Sequence, residues 1–387
     1  MQILLLAYAC DPLRGSEHGV GWAFLKSYLD RNYQVTLITQ TKNLKNIELN
    51  LDEKEKNGLK IWAFQLPSFF YFLKKQLPFG TQLYYIIWQN YVGYKLRKIN
   101  LLDFEFAHHV TFANDSLPSA LFKLRMVKRI WGPVGGISRT KIINYRYLGI
   151  KGSLHEFFRV ISNSINRFYI TRTKIHKLNL VICQNADGEK YFSKYTEVCV
   201  SSNAFLDDSF LKIPHKERVP HMILGVGRLD PLKGWAIAIQ ALKYLPDSYE
   251  LHLVGKGYDR KRLVKVARRI GVASRVKFLG ELERNKVMEL MTICDVFVFP
   301  SLHEGAGWVL CEAASMGASI VAFDIAGPRS VLGNSANFVD PVGNLPKLFA
   351  KGIHDSSGKD LNRRYYWTKE RLLSPVIKYL DEKNIQK

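Results

Sequence analysis

The chain alternates between short apolar runs and longer stretches in which apolar residues recur at helical spacing. Apolar runs at Ile3–Tyr8 and 34–39 enclose a turn-rich loop and an amphipathic stretch from Val20 to Leu29. Similar strand-like runs follow at Leu59–Phe64, Phe104–His109, Val127–Trp131 and Leu180–Cys183. Strands that alternate with helices in this way predict a parallel, doubly wound α/β sheet.

The pattern is interrupted at residues 203–220, a polar and proline-bearing segment that we interpret as a linker. Strand, loop and helix then recur through MILGVGRLDPLKG, LHLVGKG, VKFLGEL and DVFVFPSLHEGAG. A chain of 387 residues also suits two domains better than one. We predict α/β domains over 1–203 and 204–364, followed by a helical tail over 365–387.

Composition adds a strong positive charge to this picture. The chain has 56 Lys and Arg against 34 Asp and Glu, a formal net charge of +22, which favours anionic partners. Its five cysteines are odd in number and form no CxxC pair, which favours a reducing compartment over a disulfide framework. The N-terminal apolar run fits a buried strand better than a signal peptide, and no run approaches the ~20 apolar residues of a membrane span. We therefore expect a cytoplasmic protein.

Two cations stand close together in GVGRLDPLKG, at the start of the second predicted domain. Arg228 and Lys233 lie five residues apart, with glycines on both sides. Such a pair can hold a diphosphate from two sides. The alternative interpretation, that both are solvated charges beside a turn, is equally open at this point.

Two glutamates frame the segment EGAGWVLCE. Glu304 precedes small residues that allow the amides of the following helix to approach a phosphate closely, and Glu312 lies eight positions later on that helix. In the simpler interpretation Glu304 is a charge stabilised by the helix dipole and Glu312 lies on the surface. Against it, Glu312 stands among apolar residues, where a carboxylate without partners is costly.

These segments, with their E-x7-E spacing, resemble the retaining glycosyltransferases of the large GT4 family. The resemblance implies the GT-B fold, two facing Rossmann-like domains with parallel sheets and a C-terminal helix that crosses back to the N-terminal domain. It also implies a hexosyltransferase that uses a nucleotide-diphosphate sugar, UDP- or GDP-linked, without a permanently bound cofactor or a metal. The N-terminal domain would bind the acceptor and the C-terminal domain the donor.

The resemblance also assigns roles to residues of the second domain. Arg228 and Lys233 match the family's basic pair on the donor diphosphate. Glu304 matches the glutamate that contacts the transferred sugar, and Glu312 the one that hydrogen-bonds the ribose. The remaining predicted donor-binding residues of this domain are Leu282, Gly305, Ala306, Gly307 and Trp308. Ala306 and Trp308 depart from the family's usual Phe and Leu, so the shape of the sugar pocket is expected to differ.

The first domain offers two further candidate sites. Gly15 and Ser16 lie in a glycine-rich turn after the first strand, which resembles the family's opening loop with Ser16 in place of its second glycine. His108 and His109 end a predicted strand, so their side chains must point to opposite faces of the sheet. The family places a histidine here against the donor sugar, and alignment favours His109, with His108 as the alternative.

The mechanism implied by the resemblance is transfer with retention, by attack on the face that the nucleotide leaves. The sequence has no evident carboxylate nucleophile for a double displacement, and no Asp-x-Asp metal site. The leaving diphosphate is expected to be stabilised by Arg228, Lys233 and helix amides, and to accept the proton of the acceptor.

The acceptor side is suggested by aromatic and basic residues. They are interleaved over 61–98, and residues 139–177 contain nine Lys or Arg with Glu156 as the only acid. This composition favours contact with an anionic membrane surface, on the inner face of the cytoplasmic membrane. A glycan or lipid-linked glycan, as in polysaccharide or lipopolysaccharide assembly, is then the expected acceptor. Alternatively the aromatics fill a core. Two competing functions stay open: a different GT-B enzyme, such as a sugar-nucleotide epimerase, and a basic nucleic-acid-binding protein, for which no recognition motif is present.

Overall fold

The computed structural model describes residues 1–15, 17–77, 80–206, 216–359, 367–368 and 370–384. The chain forms two compact units. Unit 1 comprises Met1–Ile137, Ser162–Asn203 and Lys369–Lys387, and unit 2 comprises Ser138–Ile161 and Ala204–Thr368. Residues 138–161, which the sequence pattern placed in the first domain, are therefore part of unit 2.

Unit 1 is built on a seven-stranded parallel sheet. Its strands are β1 Gln2–Leu6, β2 Gln34–Thr39, β3 Leu59–Ala63, β4 Phe106–His109, β5 Lys128–Val134, β6 Leu180–Cys183 and β7 Val198–Val200, in the order 3-2-1-4-5-6-7. Its helices are α1 Glu17–Leu29, α2 Leu44–Leu49, α3 Glu53–Asn57, α4 Ser68–Gln76, α5 Gly80–Leu96 and α7 Ala186–Phe192, with α6, Gly149–Thr173, entering from unit 2. Residues 3–6 of β1 are buried because β1 lies between β2 and β4.

Unit 2 repeats the plan with six parallel strands. They are β8 Val219–Val226, β9 Glu250–Val254, β10 Val276–Gly280, β11 Cys294–Phe299, β12 Ser319–Phe323 and β13 Asn337–Val339, in the order 10-9-8-11-12-13. Its helices are α8 Trp235–Ala241, α9 Arg260–Arg269, α10 Arg284–Ile293, α11 Trp308–Ser315, α12 Ala326–Leu332 and α13 Leu345–Ser356. Trp235 is fully buried in one of its hydrophobic cores.

The last helix, α14 (Glu370–Asn384), belongs to unit 1, where Leu372, Leu373 and Val376 are buried. The prediction of two α/β domains with parallel sheets is confirmed. The strand limits predicted at 34–39 and 180–183 agree with β2 and β6. Much of the predicted linker, residues 207–215, lies outside the described residues, and β8 already begins at Val219.

Both sheets reverse their strand order at the first and fourth strand of the unit. In a parallel α/β sheet, ligands bind beyond the carboxyl ends of the strands at such a reversal. In unit 1 the reversal lies between β1 and β4, and in unit 2 between β8 and β11. The loops after β8 and β11 contain the predicted donor-binding charges, and β4 ends at His109.

Candidate functional site

The loop after β8 carries two cations in different environments. Trp235 donates its indole N–H to the Arg228 carbonyl at 2.9 Å, which fixes the backbone of the loop. The Arg228 side chain is 83% exposed and lies 3.5 Å from Asp230. Asp230 also caps the short 3-10 helix Pro231–Lys233 by accepting the Lys233 amide. Arg228 is thus open to solvent, whereas Lys233 is held inward.

Gly234 allows this loop to approach the end of β11. It has a φ of 69°, and a side chain there would collide with the Pro300 carbonyl oxygen. Leu302 closes the contact from the other side, because its amide donates to the Leu232 carbonyl at 2.9 Å. The two loops that follow β8 and β11 are therefore joined through their backbones.

Lys233 and Glu304 meet where these loops join. The Lys233 ammonium donates to Glu304 Oε2, and the two side chains are 20% and 18% exposed. The same ammonium lies 5.4 Å from the centre of the Phe299 ring. A half-buried pair of this kind neutralises both charges while it leaves them accessible to a ligand that carries charge of its own.

Helix α11 begins directly after this pair. Gly307 precedes its first turn with a φ of 88°, a conformation that favours glycine, and Trp308 is its first residue. The first amides of a helix have no partner within the helix, and they favour an anion. Ala306 is buried in a hydrophobic core, and Trp308 packs edge-on against Phe205 at 4.8 Å.

Glu312 lies one helical turn after Trp308 on α11. Its Oε1 is 3.3 Å from Arg284 Nη2, and its side chain is 21% exposed. Burial raises the pKa of Glu312, and the Arg284 charge opposes that shift. Arg284 therefore supplies the charged partner without which a carboxylate among apolar residues would be costly. Leu282, just before α10, is partly buried against the same core.

The two adjacent histidines of β4 point to opposite faces of the sheet, as predicted. His108 donates from Nε2 to the Gly132 carbonyl at 2.9 Å and accepts from the Tyr28 hydroxyl at 2.8 Å. His109 donates from Nε2 to the Thr111 carbonyl at 2.8 Å.

The Nδ1 of His109 accepts from the Ser119 hydroxyl at 2.6 Å, so both rings are neutral and fully hydrogen-bonded. Burial lowers the pKa of His108 to about 3 and that of His109 to about 4. His109 is 1% exposed and would have to exchange a partner to contact a ligand. Its catalytic role stays a prediction.

The opening loop of unit 1 is only partly described. Gly15 is exposed, with open space where a side chain would lie, and Ser16 lies outside the described residues. Glu17, the first residue of α1, accepts the Phe112 amide at 2.6 Å and so ties α1 to the loop after β4. Burial raises the pKa of Glu17, although that hydrogen bond opposes the shift.

A comparison with known protein families identifies the region that contains the Lys233–Glu304 pair. Residues 208–368 match the family model described as "Glycosyl transferases group 1". This region of the chain, 161 of its 387 residues, is similar to that glycosyltransferase family. The match includes the loops after β8 and β11 and the helix α11, which are the elements that carry the predicted donor-binding residues.

Curated relatives support the assignment of the glycosyltransferase region. D-inositol 3-phosphate glycosyltransferase of Xylanimonas cellulosilytica is 32% identical over 133 residues, which are 33% of this chain and 32% of the relative. Lipopolysaccharide core biosynthesis glycosyltransferase LpsE of Rhizobium meliloti is 33% identical over 116 residues, 30% of this chain and 33% of the relative. The chain thus matches about a third of the length of these relatives.

The fold of the whole chain is similar to that of solved glycosyltransferases. HepE of Anabaena, solved in complex with UDP-glucose, matches over 99% of this chain and 100% of its own, with a TM-score of 0.54 and 15% sequence identity. At this identity the likeness shows the fold, and that fold is GT-B.

Three residues beside the predicted donor site were not predicted from the sequence. Glu156 and Arg159 of α6 form a bidentate ion pair, and Arg159 reaches His303, which directly precedes Glu304. The signal in the sequence was Glu156 itself, the single acid among nine cations. Only the folded chain brings it to a loop almost 150 residues away.

Two general properties of the described chain complete the description. Among the described residues, we find no group of three His, Cys, Asp or Glu side chains arranged to hold a metal ion. The described helices also include none that is both long and apolar enough to cross a membrane. That transfer needs no metal stays a prediction.

Proposed function

We propose that the chain is a retaining glycosyltransferase that moves a hexose from a nucleoside-diphosphate sugar to a hydroxyl group of a glycan or a lipid-linked glycan. The observation that carries the proposal is the accessible Lys233–Glu304 pair at the start of α11, within the glycosyltransferase region. A neutral pair beside a helix N-terminus suits a substrate that combines a sugar with a diphosphate.

The proposed roles follow from the chemistry of these groups. The Lys233 ammonium and the exposed Arg228 guanidinium stabilise the diphosphate as its negative charge grows in the transition state. Glu304 accepts hydrogen bonds from the hydroxyls of the transferred sugar, and Glu312 accepts from the ribose. The departing phosphate oxygen takes the acceptor's proton, so that the new glycosidic bond forms on the face the nucleotide leaves.

UDP-linked hexoses are the donors to test first. HepE, which shares the fold, was solved with UDP-glucose, and LpsE, a relative that matches 30% of this chain, is a lipopolysaccharide core biosynthesis glycosyltransferase. Calorimetric titration with UDP-hexoses, with GDP-hexoses as the comparison, measures donor choice. Slow hydrolysis of the bound donor with retained anomeric configuration is the expected activity, and it separates a transferase from an epimerase, which would release no nucleotide.

A protein that binds no nucleotide sugar and releases no nucleotide diphosphate would refute the proposal. Binding followed by epimerisation of the sugar would keep the donor site and reassign the reaction. Electrophoretic shift with short RNA and DNA provides the remaining comparison, because a +22 chain also attracts nucleic acid. Tight nucleic-acid binding at moderate salt without nucleotide-sugar binding would favour a nucleic-acid-binding function.

The proposal includes peripheral contact with an anionic membrane, at the cytoplasmic face. The aromatics of 61–98 divide into two groups, because Tyr85 and Trp88 of α5 are buried, whereas Phe69 and Phe72 of α4 are 61% and 58% exposed. Helix α6 adds an exposed apolar series at helical spacing, formed by Leu154, Phe158, Ile161, Ile165 and Phe168. Exposed aromatic side chains beside lysines support contact with an anionic lipid surface.

Flotation with anionic vesicles of phosphatidylglycerol tests this part of the proposal. The variant Phe69→Ser/Phe72→Ser is expected to reduce the bound fraction about fivefold at moderate salt, because it removes apolar area from the interface. Leu49→Ser is the matched control, since Leu49 is 71% exposed but lies outside α4 and α6. Equal flotation of all three proteins, or failure of the wild type to float, would contradict it.

A further inference from the structure

Residues 138–161 form one side of unit 2 and reach the loop after β11. The Thr140 hydroxyl lies 3.5 Å from the Leu302 carbonyl oxygen, and Asn144 donates to the Pro341 carbonyl at 3.0 Å. Gly152 of α6 packs directly against Pro231, where a side chain would come within 2.7 Å of the proline ring. The segment 138–161 is therefore in contact with both loops of the predicted donor site, through Thr140 at Leu302 and through Gly152 at Pro231.

A buried ion pair stands at the centre of this contact. Arg159 donates from Nε and Nη2 to the two carboxylate oxygens of Glu156, at 2.7 and 2.8 Å. Glu156 is fully buried, and the Arg159 side chain is 21% exposed. Burial alone would raise the pKa of Glu156, but the hydrogen bonds and charge of Arg159 outweigh it and lower that pKa. Both groups are therefore charged, and their mutual orientation is fixed by two parallel hydrogen bonds.

The second N–H of Arg159 Nη2 faces the loop after β11. Arg159 Nη2 lies 3.4 Å from Nδ1 of His303. A guanidinium can only donate, so Nδ1 must be the unprotonated nitrogen and the ring must be neutral. Burial and the charge of Arg159 lower the pKa of His303 to about 4, which agrees with this geometry. Burial and Arg159 thus both favour the neutral ring, and Arg159 fixes the direction in which Nδ1 points.

The His303 backbone is tied to the donor loops as well. Its carbonyl accepts from the Ser301 hydroxyl at 3.0 Å, and the same hydroxyl lies 3.4 Å from the Leu232 carbonyl. The next residue is Glu304, whose carboxylate pairs with Lys233. The held imidazole and the carboxylate that is proposed to contact the transferred sugar therefore belong to adjacent residues of one tethered loop.

Stability alone is a weak reason for such a pair. A buried ion pair is often no more stable than apolar side chains of the same size, because desolvation offsets the attraction. What the pair does supply is a fixed guanidinium aimed at one nitrogen of His303. We propose that Glu156 and Arg159 are positioning residues of the donor site, which hold the neutral His303 ring and thereby the Glu304 carboxylate in place. This inference rests on the proposed glycosyltransferase function.

Variants of His303 test the inference most directly. In His303→Asn, the side-chain amide oxygen is bonded to Cγ, as Nδ1 is in histidine, and so keeps a hydrogen-bond acceptor. In His303→Leu, a side chain of similar volume has no acceptor. We expect His303→Leu to lower kcat about tenfold or more through misplacement of Glu304, with the Kd for nucleoside diphosphate unchanged. His303→Asn is expected to restore kcat to within about threefold of the wild type. A merely structural residue would lower the fraction of active protein, and so the binding stoichiometry, instead of kcat alone.

The ion pair is tested by the double variant Glu156→Gln/Arg159→Met. It avoids the buried unpaired charge that Arg159→Met alone would leave, and which could prevent folding. It should reproduce the kinetics of His303→Leu. The matched control is Asp259→Asn/Arg262→Met, because Arg262 forms an equivalent bidentate pair with buried Asp259 three residues before it, at 2.6 and 2.7 Å. Kinetics of the double variant equal to those of the control would overturn the inference.

A second readout is independent of activity. Imidazole NMR, with His303→Asn used to assign the signal, should show His303 titrating near pH 4 in the wild type and at a higher pH in the double variant, because Arg159 lowers this pKa more than Glu156 raises it. The charged groups that set this pKa are Arg159, Glu156, Glu304 and Lys233. A wild type without nucleotide binding would refute the proposed function. An unchanged His303 titration in the double variant would refute the positioning role, whatever the activity.

Discussion

In each unit, the loop after the fourth strand carries a carboxylate that pairs with a cation from another element, but the two units bury the pair to different degrees. In unit 1, Arg167 donates to Asp115 in the loop after β4, and the side chains are 5% and 0% exposed. In unit 2, Lys233 donates to Glu304 in the loop after β11, and the side chains are 20% and 18% exposed. The groups are similar in chemistry, so burial is what distinguishes them.

This difference separates a structural pair from one that can serve a ligand. Buried charges must keep their partner, because the protein around them cannot replace it. Charges that both keep some exposure to water, such as Lys233 and Glu304, can exchange a protein partner for a ligand at less cost than fully buried ones, since water screens both states. Unit 1 also buries both imidazoles of β4, whereas unit 2 leaves Arg228 open to solvent. The donor chemistry is therefore expected in unit 2.

The largest expected effect is on the stability of unit 1. Arg167→Met removes the guanidinium that neutralises the buried Asp115 and should lower the free energy of unfolding by about 3–5 kcal/mol. Urea denaturation followed by peptide-level hydrogen exchange measures the loss in unit 1 separately. Asp115→Asn/Arg167→Met should recover much of it, and Arg172→Met, an exposed residue of the same helix, is the control. A single variant as stable as the control would contradict the structural role.

The next effect is on the chemistry of unit 2. Lys233→Met should lower kcat/KM for transfer about 100-fold, because its ammonium is proposed to stabilise the developing charge of the diphosphate. Its free energy of unfolding should change by less than about 1 kcal/mol, since the pair is accessible to water. Lys243→Met, an exposed lysine of the same unit, is the control. Equal losses of stability in the Lys233 and Arg167 variants would remove the distinction between the pairs.

The same contrast explains what the sequence could and could not predict. Local periodicity was sufficient for the α/β class, for β2 and β6, and for the loops that carry Arg228 and Glu304. Each of these features is encoded within a short segment, where strand, loop and helix follow in order. The shared strand order of the two sheets then places the loops at the reversal points, where ligands bind in this class of fold.

Local periodicity could not predict side-chain pairs between residues that are far apart in the sequence. Arg167 lies 52 residues from Asp115, and Arg159 lies 144 residues from His303. Neither pairing leaves a periodic signal, because it depends on how α6 packs. Composition also could not tell which aromatic residues are buried, since Trp88 and Phe69 both lie in the aromatic and basic stretch 61–98 but only Trp88 is buried. Burial, and not residue type, decides which of them contributes to the core.

A smaller effect should appear on acidification. A histidine whose folded pKa lies below its unfolded value contributes full stability above pH ~6.5, and loses it as the pH falls toward the folded pKa. In unit 1, burial lowers the pKa values of His108 and His109 to about 3 and 4, and in unit 2 it lowers that of His303 to about 4. Glu17 and Glu312, with raised pKa values, act in the opposite direction, one in each unit.

Between about pH 7.5 and 5, the additional histidine should therefore cost unit 1 about 2 kcal/mol more than unit 2. His18, whose pKa is lowered by burial and neighbouring cations, adds to unit 1 in the same direction. Hydrogen exchange at the two pH values, corrected for intrinsic rates, measures the difference between units. Equal losses, or a larger loss in unit 2, would show that the rings of β4 are not held neutral.

The smallest effect is expected at Arg228, and it separates the two cations within unit 2. Because Arg228 is 83% exposed, Arg228→Met should leave the free energy of unfolding unchanged. It should weaken nucleoside diphosphate binding by about fivefold, the contribution of a screened charge, and increase the salt tolerance of what remains. Calorimetry at low and moderate salt measures both, with Lys243→Met as the control. A loss of nucleoside diphosphate affinity as large as that of Lys233→Met would mean that the exposed guanidinium is enclosed when the ligand binds. Exposure in the free protein would then not predict how much each cation contributes to binding.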